Sequence, residues 1–297
     1  MLRHGTVDTG GADQLVAPVV SRRPGRHGRA ALRPRGWDSA RRRTTRAGIL
    51  GLVTLVAVVG ALLRADQVEP RSCATGLPAY FYPHPDDRNW PATVRLGGGS
   101  LLVVNPANGP GAAADVNYLS VLRALGPHGP RVYGYVDTDY GSRPVATIMA
   151  ESRKHRRWYG VSGIFLDQTA PDAGHLPYYE RLVSALHAAG FTVALNPGQP
   201  DIDRKYVELA DQVVTFEGPL DSYRRQNFPA WTHDYPAERY WHLVYDVPTA
   251  EAMHEVIRAA RAHGAGLVYV TDRSMPNPWD GLPAYWEEER TGTRSCN

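Results

Sequence analysis

Short apolar runs recur at regular intervals from residue 77 onward, and segments with helical periodicity lie between them. The helical segments include "YYERLVSALHAAG", ended by Gly190, and "TAEAMHEVIRAARAHG", with Thr249 as N-cap and Gly264 as stop. Alternation of strands and helices over about 225 residues is typical of a compact (β/α)₈ barrel, so an α/β barrel is the predicted fold. The eight predicted strands are "LPAYFY" (Leu77–Tyr82), "SLLVV", "RVYGYVD", "GIFLD", "FTVALN", "QVVTFE", "WHLVYDV" and "GLVYVTD".

An open, doubly wound sheet is the competing architecture. The predicted strands are apolar on both faces, which suits parallel strands covered by helices in either fold. The open sheet usually has a Gly-rich first turn that binds phosphate. The sequence "NPANGPG" at residues 105–111 does not match that motif, because Pro106 and Pro110 make it a rigid turn. The pattern therefore favours the closed barrel.

Polar residues end four successive predicted strands, namely Asp137, Asp167, Asn196 and Glu217. The carboxyl ends of barrel strands meet at one face, where barrel enzymes have their active sites. Hydrolysis of a glycosidic bond needs two carboxyl groups, one to protonate the leaving oxygen and one to attack or stabilise the sugar. The sequence therefore predicts a glycosidase in which Asp167 is the nucleophile or stabiliser and Glu217 the acid/base, with the two roles interchangeable. The structural alternative is that each carboxylate caps a helix or pairs with an arginine.

The first 46 residues differ in composition from the rest of the chain. They hold eleven Arg, three Asp and no Lys, are rich in Gly and Pro, and have no apolar periodicity. Such a segment cannot bury enough surface to offset its chain entropy, so residues 1–46 are predicted to be a disordered cytoplasmic tail. Because this tail is more positive than the +3 of the whole chain, the remainder is mildly acidic. The basic isoelectric point therefore does not indicate a nucleic-acid partner.

Residues 47–63, "AGILGLVTLVAVVGALL", carry no charge. As a helix they would span roughly 25 Å, which is marginal for the hydrocarbon core of a bilayer. Four arginines lie just before them, so the positive-inside rule places the N-terminus in the cytoplasm and residues 64–297 outside. The segment is interpreted as the signal anchor of a single-pass membrane protein, because a 46-residue leader is long for a signal peptide. The alternative is a signal peptide cut near Gly60, which would give a secreted protein.

The chain has two cysteines, Cys73 and Cys296, one at each end of the predicted folded region. Outside the cell two such residues are expected to form a disulfide bond, and two free thiols are the alternative. Their terminal positions argue against a catalytic role.

Six segments, taken in order and spacing, resemble the spherulin-4-like family. They are "VVNPANGPG", "VYGYVDTDYGSR", "WYGVSGIFLDQ", "VALNPG", "VVTFEG" and "LVYVTD" followed by "LPAYW", and together they cover roughly residues 77–286. The resemblance implies a (β/α)₈ barrel with its acidic site residues at Asp167 and Glu217. It also implies hydrolysis of α-1,4-linked N-acetylgalactosamine in galactosamine-containing polysaccharides. No cofactor and no metal are expected.

Further polar and aromatic residues at or beyond the strand ends are candidates for binding the sugar. Aspartates there would form an acidic mouth that raises some carboxyl pKa values and attracts a partly deacetylated, cationic polymer. Tyrosines can stack on sugar rings, and asparagines can hydrogen-bond hydroxyls. The candidates are Tyr82, Asn105, Tyr135, Asp137, Tyr140, Gln168, Asn196, Asp246 and Asp272.

Gln168 departs from the family pattern, which commonly has an Asp-Glu pair after the fourth strand. Neighbouring strand residues point to opposite sides, so Gln168 is expected to face away from the cleft if Asp167 faces into it. If the missing Glu were the proton donor, however, activity would fall sharply. A non-catalytic polysaccharide-binding barrel is therefore the leading alternative function.

A zinc-dependent N-acetyl-sugar deacetylase is the third hypothesis. It rests on "HPDD", His84 to Asp87, which resembles the zinc-binding start of one deacetylase family. Those enzymes need a further His pair, and the chain has no HxxH. A turn after the first strand explains the same residues.

Overall fold

The computed structural model describes residues 73–294, in which eight parallel strands close into a barrel in sequence order. Closure is made by β1 and β8, which pair through Ala74 with Leu267 and Thr75 with Val268. The predicted (β/α)₈ barrel is therefore confirmed. The strands are β1 (Ala74–Ala79), β2 (Leu101–Val104), β3 (Arg131–Asp137), β4 (Gly163–Asp167), β5 (Thr192–Leu195), β6 (Gln212–Pro219), β7 (Tyr240–Tyr245) and β8 (Leu267–Val270).

Within residues 73–294, an α-helix follows each strand. The first and last helices were not predicted, since one has only five residues and the other, "WEEERTGTR", is almost entirely polar. The first strand also begins three residues earlier than predicted, because its pairing with β8 fixes where it starts. The helices are α1 (Asn89–Thr93), α2 (Val116–Ala124), α3 (Val145–Tyr159), α4 (Leu176–Ala188), α5 (Lys205–Leu209), α6 (Leu220–Arg225), α7 (Ala250–Ala262) and α8 (Trp286–Arg294).

Large aromatic side chains fill the interior of the barrel. Trp241 of β7 is fully buried and donates a 3.1 Å hydrogen bond from Nε1 to the carbonyl oxygen of Gly76 in β1. The ring of Phe165 in β4 packs edge-on against Trp241, with 5.4 Å between the ring centroids. Since Phe165 also lines the cavity at the carboxyl ends of the strands, Trp241 supports the floor of that cavity.

Gly76→Ala is expected to destabilise the protein by about 1–3 kcal/mol, the usual range for overpacking a core. A methyl group at this position would lie 2.3 Å from Cε2 of Trp241, whose side chain is fully buried. Denaturant unfolding measures the effect. Gly98→Ala is the control, because a methyl group there meets its nearest atom, the His128 carbonyl oxygen, at 3.6 Å. Equal stability of the two variants would contradict this account of the core.

The predicted tail and the apolar segment, residues 1–46 and 47–63, lie outside the described residues. In the described part of the chain, no helix has both the length and the apolar character needed to span a bilayer. Membrane anchoring and the position of the domain outside the cell stay predictions.

The Cys73–Cys296 bridge also stays a prediction, because Cys296 lies beyond residue 294. The two ends of the domain approach each other, since Thr75 Oγ1 in β1 and Thr293 Oγ1 in α8 are 2.9 Å apart. We expect non-reduced peptide mapping to recover the two cysteines in one cross-linked peptide. In the chain-entropy model, closing so long a loop stabilises by up to about 4–5 kcal/mol. Recovery of two separate thiols from protein purified from outside the cell would contradict the bridge.

Candidate active site

A cavity of about 520 Å³ opens at the carboxyl ends of the strands. Asp167, the last residue of β4, and Glu217, two residues before the end of β6, both line it. Its other lining residues include three that were predicted to bind substrate, Asn105, Tyr135 and Asn196. The structure therefore brings together the two carboxyl groups and three of the nine candidate binding residues.

A β-bulge sets the direction of the Glu217 side chain. The register of β6 against β7 shifts between Val214 and Phe216, which adds one residue to β6. Thr215 contacts His242 Nε2 at 3.1 Å, and Phe216 packs on Tyr223 of α6 with 4.8 Å between centroids, so both side chains face the helices. In a strand without a bulge, an outward Thr215 would be followed by an inward Phe216 and an outward Glu217. Because Thr215 and Phe216 both face outward here, Glu217 faces the cavity.

Asn196 lies between the two carboxyl groups. Its Nδ2 donates hydrogen bonds to Asp167 Oδ1 at 2.7 Å and to Glu217 Oε2 at 2.6 Å. Because one nitrogen contacts both oxygens, the distance between Asp167 Oδ1 and Glu217 Oε2 cannot exceed the sum of these two hydrogen-bond lengths. This closeness fits the carboxyl spacing of about 5–5.5 Å in retaining glycosidases better than the about 6.5–9.5 Å of inverting ones.

The loop that follows β5 is tied to both neighbouring strands, which fixes Asn196 between them. The backbone N–H of Asn196 donates to the Leu166 carbonyl in β4 at 2.9 Å. On the other side, the Gly198 carbonyl accepts from the backbone N–H of Glu217 at 2.9 Å. Gly198 has a φ of 68°, a left-handed conformation that glycine adopts without strain.

Asp167 is surrounded by hydrogen-bond donors that stabilise its ionised form. Tyr135 donates from its hydroxyl to Oδ2 at 2.9 Å, while Asn196 serves Oδ1. Burial raises the pKa of Asp167, and the hydrogen bonds from Tyr135, the Gln168 backbone and Asn196 oppose this rise. These donors favour the negative charge that a nucleophile or stabilising carboxylate must carry.

Glu217 differs from Asp167 in its charge environment. Trp279 donates from its indole Nε1 to Oε1 at 3.3 Å, and Asn196 donates to Oε2. Burial, together with repulsion from Asp167, raises the pKa of Glu217 to about 7. Neither the indole N–H nor the amide nitrogen can accept a proton. A protonated Glu217 therefore finds no acceptor at either of these two nitrogens and can offer its proton to a ligand in the cavity.

Trp279 is one of the lining residues that sequence reasoning missed, and it contacts Glu217 directly. It is buried on the loop after β8, nine residues beyond Val270, within "SMPNPWD". Its ring packs on Tyr269 and Tyr245 at centroid distances of 5.8 and 6.1 Å. It occupies no strand end, so the pattern that found the carboxyl groups could not find it. The sequence signal that could have indicated it was a tryptophan between two prolines, Pro278 and Pro283, in the loop after the last predicted strand.

The expected acidic mouth does not form as a single cluster. Asp137 is drawn into an ion pair with Arg143 at 2.8 Å, and Arg143 also contacts Glu151 of α3 at 2.6 Å. Of the residues that the structure describes, Asp167 and Glu217 are the carboxyl groups that line the cavity.

The remaining candidates also lie outside the cavity lining. Asp272 Oδ2 accepts a 3.0 Å hydrogen bond from the Ala284 backbone N–H. Asp246 is exposed to solvent, and its backbone has a left-handed φ of 57°. Tyr82 donates from its hydroxyl to Asp115 at 2.8 Å. Tyr140 is exposed on the loop after β3. Local partners, which a strand-end pattern cannot reveal, hold Tyr82 and Asp272.

Gln168 is exposed and does not line the cavity, as expected, but strand alternation is not the cause. β4 ends at Asp167, and Gln168 has a φ of 51°, so the chain leaves the strand in a left-handed conformation. Its carbonyl accepts from the Tyr140 backbone at 2.9 Å and from Thr138 Oγ1 at 2.7 Å.

The "HPDD" segment forms a turn and a helix start. Asp87 accepts from the Trp90 backbone at 2.7 Å and from Asn89 Nδ2 at 2.8 Å, at the beginning of α1. The His84 ring lies against Tyr82, with 4.7 Å between centroids. Across residues 73–294, no group of three or more His, Cys, Asp or Glu side chains is placed to hold a metal ion.

Fold and cavity together define a (β/α)₈ barrel with a carboxyl pair at the carboxyl ends of its strands. A family model described as Spherulation-specific family 4 (Spherulin4) matches residues 76–290, which is most of the chain. The chain therefore belongs to the spherulin-4 family, as the sequence resemblance indicated.

Two relatives illustrate this membership. Spherulin-4 of Physarum polycephalum is 25% identical over 235 residues, covering 74% of this chain and 70% of the relative. The crystal structure of Aspergillus clavatus Sph3, solved in complex with GalNAc, superposes with a TM-score of 0.66 at 23% identity, covering 75% of this chain and 98% of that one. The likeness to Sph3 shows that the two proteins share the barrel fold.

Proposed function

We propose that this protein is a glycoside hydrolase that cleaves a galactosamine- or N-acetylgalactosamine-containing polysaccharide. The observation that carries the proposal is the pair of carboxyl groups, Asp167 and Glu217, joined through Asn196 at the bottom of one cavity. Membership of the spherulin-4 family and the GalNAc bound to a relative of the same fold support the choice of an amino sugar.

The electrostatics favour one assignment of roles. Glu217, with a pKa near 7 and donors as its protein partners, is the acid that gives its proton to the leaving glycosidic oxygen. Asp167, whose ionised form is stabilised by three hydrogen-bond donors, attacks the anomeric carbon or stabilises the positive charge that develops there. Glu217, now ionised, then takes a proton from water, whose oxygen replaces Asp167 on the sugar and completes the hydrolysis. The close carboxyl spacing makes retention of configuration the expected outcome.

The lining of the cavity also bears on the sugar. None of the lining side chains in the described part of the chain is Lys or Arg, so the cavity offers no cation to the carboxylate of a uronic acid. Asn105, Asn108 and Asn277 supply amide groups, and Tyr80, Tyr135 and Trp279 supply aromatic surface. This mixture suits a neutral or cationic sugar with hydroxyl and acetamido groups.

The decisive experiment incubates the purified protein with an α-1,4-linked N-acetylgalactosamine polymer. We expect new reducing ends without release of acetate. Binding of the polymer without new reducing ends would instead favour the non-catalytic polysaccharide-binding barrel. The motive for that alternative is Gln168, which replaces the second acid of the family pattern. Acetate release that stops on chelation would identify the deacetylase.

A further inference from the structure

Three consecutive residues after β3 have a left-handed backbone. The φ angles are 45° at Asp139, 53° at Tyr140 and 88° at Gly141. Glycine adopts this conformation readily, but a bulky side chain does so only against a steric penalty. Tyr140 therefore stands in a conformation that its own residue type disfavours, and such residues cluster at ligand sites.

Hydrogen bonds fix this loop to the strand that carries Asp167. The Tyr140 backbone N–H donates to the Gln168 carbonyl at 2.9 Å, and Thr138 Oγ1 donates to the same oxygen at 2.7 Å. Gly141 closes the turn through a 3.0 Å bond to the Thr138 carbonyl. Because Gln168 follows Asp167 directly, the Tyr140 backbone is held next to the carboxyl end of β4, at the same end of the barrel as the cavity and outside its lining.

The Tyr140 side chain has no structural task within residues 73–294. It is 59% exposed, its hydroxyl makes no hydrogen bond there, and its ring stacks on no other aromatic side chain of that region. Tyr82, the other exposed tyrosine at this end of the barrel, is instead tied by its hydroxyl to Asp115 and Asn117. A hydrogen-bonded loop thus presents an exposed tyrosine ring to solvent at the carboxyl ends of the strands.

We propose that Tyr140 is the platform of an outer subsite, on which a sugar ring of the polymer stacks after the chain leaves the cavity. The apolar face of a pyranose ring matches the face of a tyrosine, whose polar tip stays in water. The proposal rests on the proposed function, since it assigns the same polysaccharide a second contact. A fixed left-handed loop keeps the ring ready for binding, so little conformational freedom is lost when the polymer arrives.

The test uses the full chain and two ligands, an insoluble galactosamine-containing polysaccharide and free N-acetylgalactosamine. Tyr140→Gly is expected to weaken co-sedimentation with the polymer about tenfold and to leave monosaccharide binding, followed by NMR, as in the wild type. Glycine accepts a φ of 53° without strain, so the melting temperature should stay equal or rise. Tyr140→Trp keeps a ring and should keep the polymer affinity. Tyr235→Ala is the matched control, because Tyr235 lies just before β7, at the opposite end of the barrel.

Three results would overturn the platform: unchanged polymer affinity in Tyr140→Gly, an equal loss of monosaccharide affinity, or a lower melting temperature. The last would show that Tyr140 stabilises the fold. Failure of the proposed function gives a different result. A wild type that binds polymer through Tyr140 and releases no reducing ends would refute hydrolysis and support the platform.

Discussion

Asp167→Asn is expected to reduce polymer cleavage by at least about a thousandfold, which corresponds to about 4 kcal/mol in the barrier. The substitution removes the negative charge that attacks or stabilises the anomeric carbon, and it keeps the size of the side chain. Release of reducing ends measures the effect. Circular dichroism and the melting temperature show whether the variant is folded, and monosaccharide binding shows whether its cavity is intact.

Gln168→Glu is the matched comparison, since it adds a carboxyl group to the residue next to Asp167. Its side chain is exposed and outside the cavity lining, so we expect the rate to change by less than about threefold, under 1 kcal/mol in the barrier. An inert wild type that gains activity with Gln168→Glu would reverse the interpretation. The natural protein would then be a polysaccharide-binding barrel that has lost its acid.

Glu217 is expected to give the reaction an alkaline limit near pH 7. Its protonated form is the acid, and burial together with Asp167 raises its pKa to about 7, so kcat/KM should fall as the pH rises through that value. Asp167 must be ionised, so the rate should also fall in acid, below a pKa that burial holds above its ordinary range. The pH profile of kcat/KM is therefore expected to be bell-shaped. A rate that stays constant from pH 6 to pH 9 would remove Glu217 from the role of acid.

The same pKa predicts how Glu217→Gln changes stability. A carboxyl group whose pKa is higher in the folded than in the unfolded protein contributes fully below the unfolded value of 4.5, and that contribution is lost as the pH rises through about 7. The rise corresponds to about 3 kcal/mol at most. We therefore expect the wild type, relative to Glu217→Gln, to lose up to about 3 kcal/mol in unfolding free energy between pH 4 and pH 8. Denaturant titrations at the two pH values measure this difference, and parallel behaviour would contradict the raised pKa.

The positions of Asp167, Asn196 and Glu217 could be predicted because they depend on a rule that acts along the chain. Apolar runs mark strands, and the ends of parallel strands in a barrel converge. The orientation of Glu217 needed more, since the bulge before it reverses the alternation that a regular strand would impose. A run such as "QVVTF" carries no Gly or other residue that would mark the bulge.

Other parts of the site depend on partners that are distant in sequence. Asp137 has the same strand-end position as Asp167, but Arg143 and Glu151 hold it in an ion-pair network. Trp279 reaches Glu217 across 62 residues of sequence. The start of β1 is likewise set by β8, at the other end of the barrel. Such pairings follow from the closed fold and cannot be read from local pattern.

The asparagine between the two carboxyl groups has a consequence for the chemical ageing of the protein. Asparagine deamidates when the backbone nitrogen of the next residue attacks the side-chain amide, and that step needs an N–H. Asn196 is followed by Pro197, whose ring nitrogen has none, and Asn105 and Asn277 likewise precede prolines. Asn108, by contrast, precedes Gly109 and lacks this protection. The amide on which both carboxyl groups depend is therefore expected to deamidate more slowly than that of Asn108.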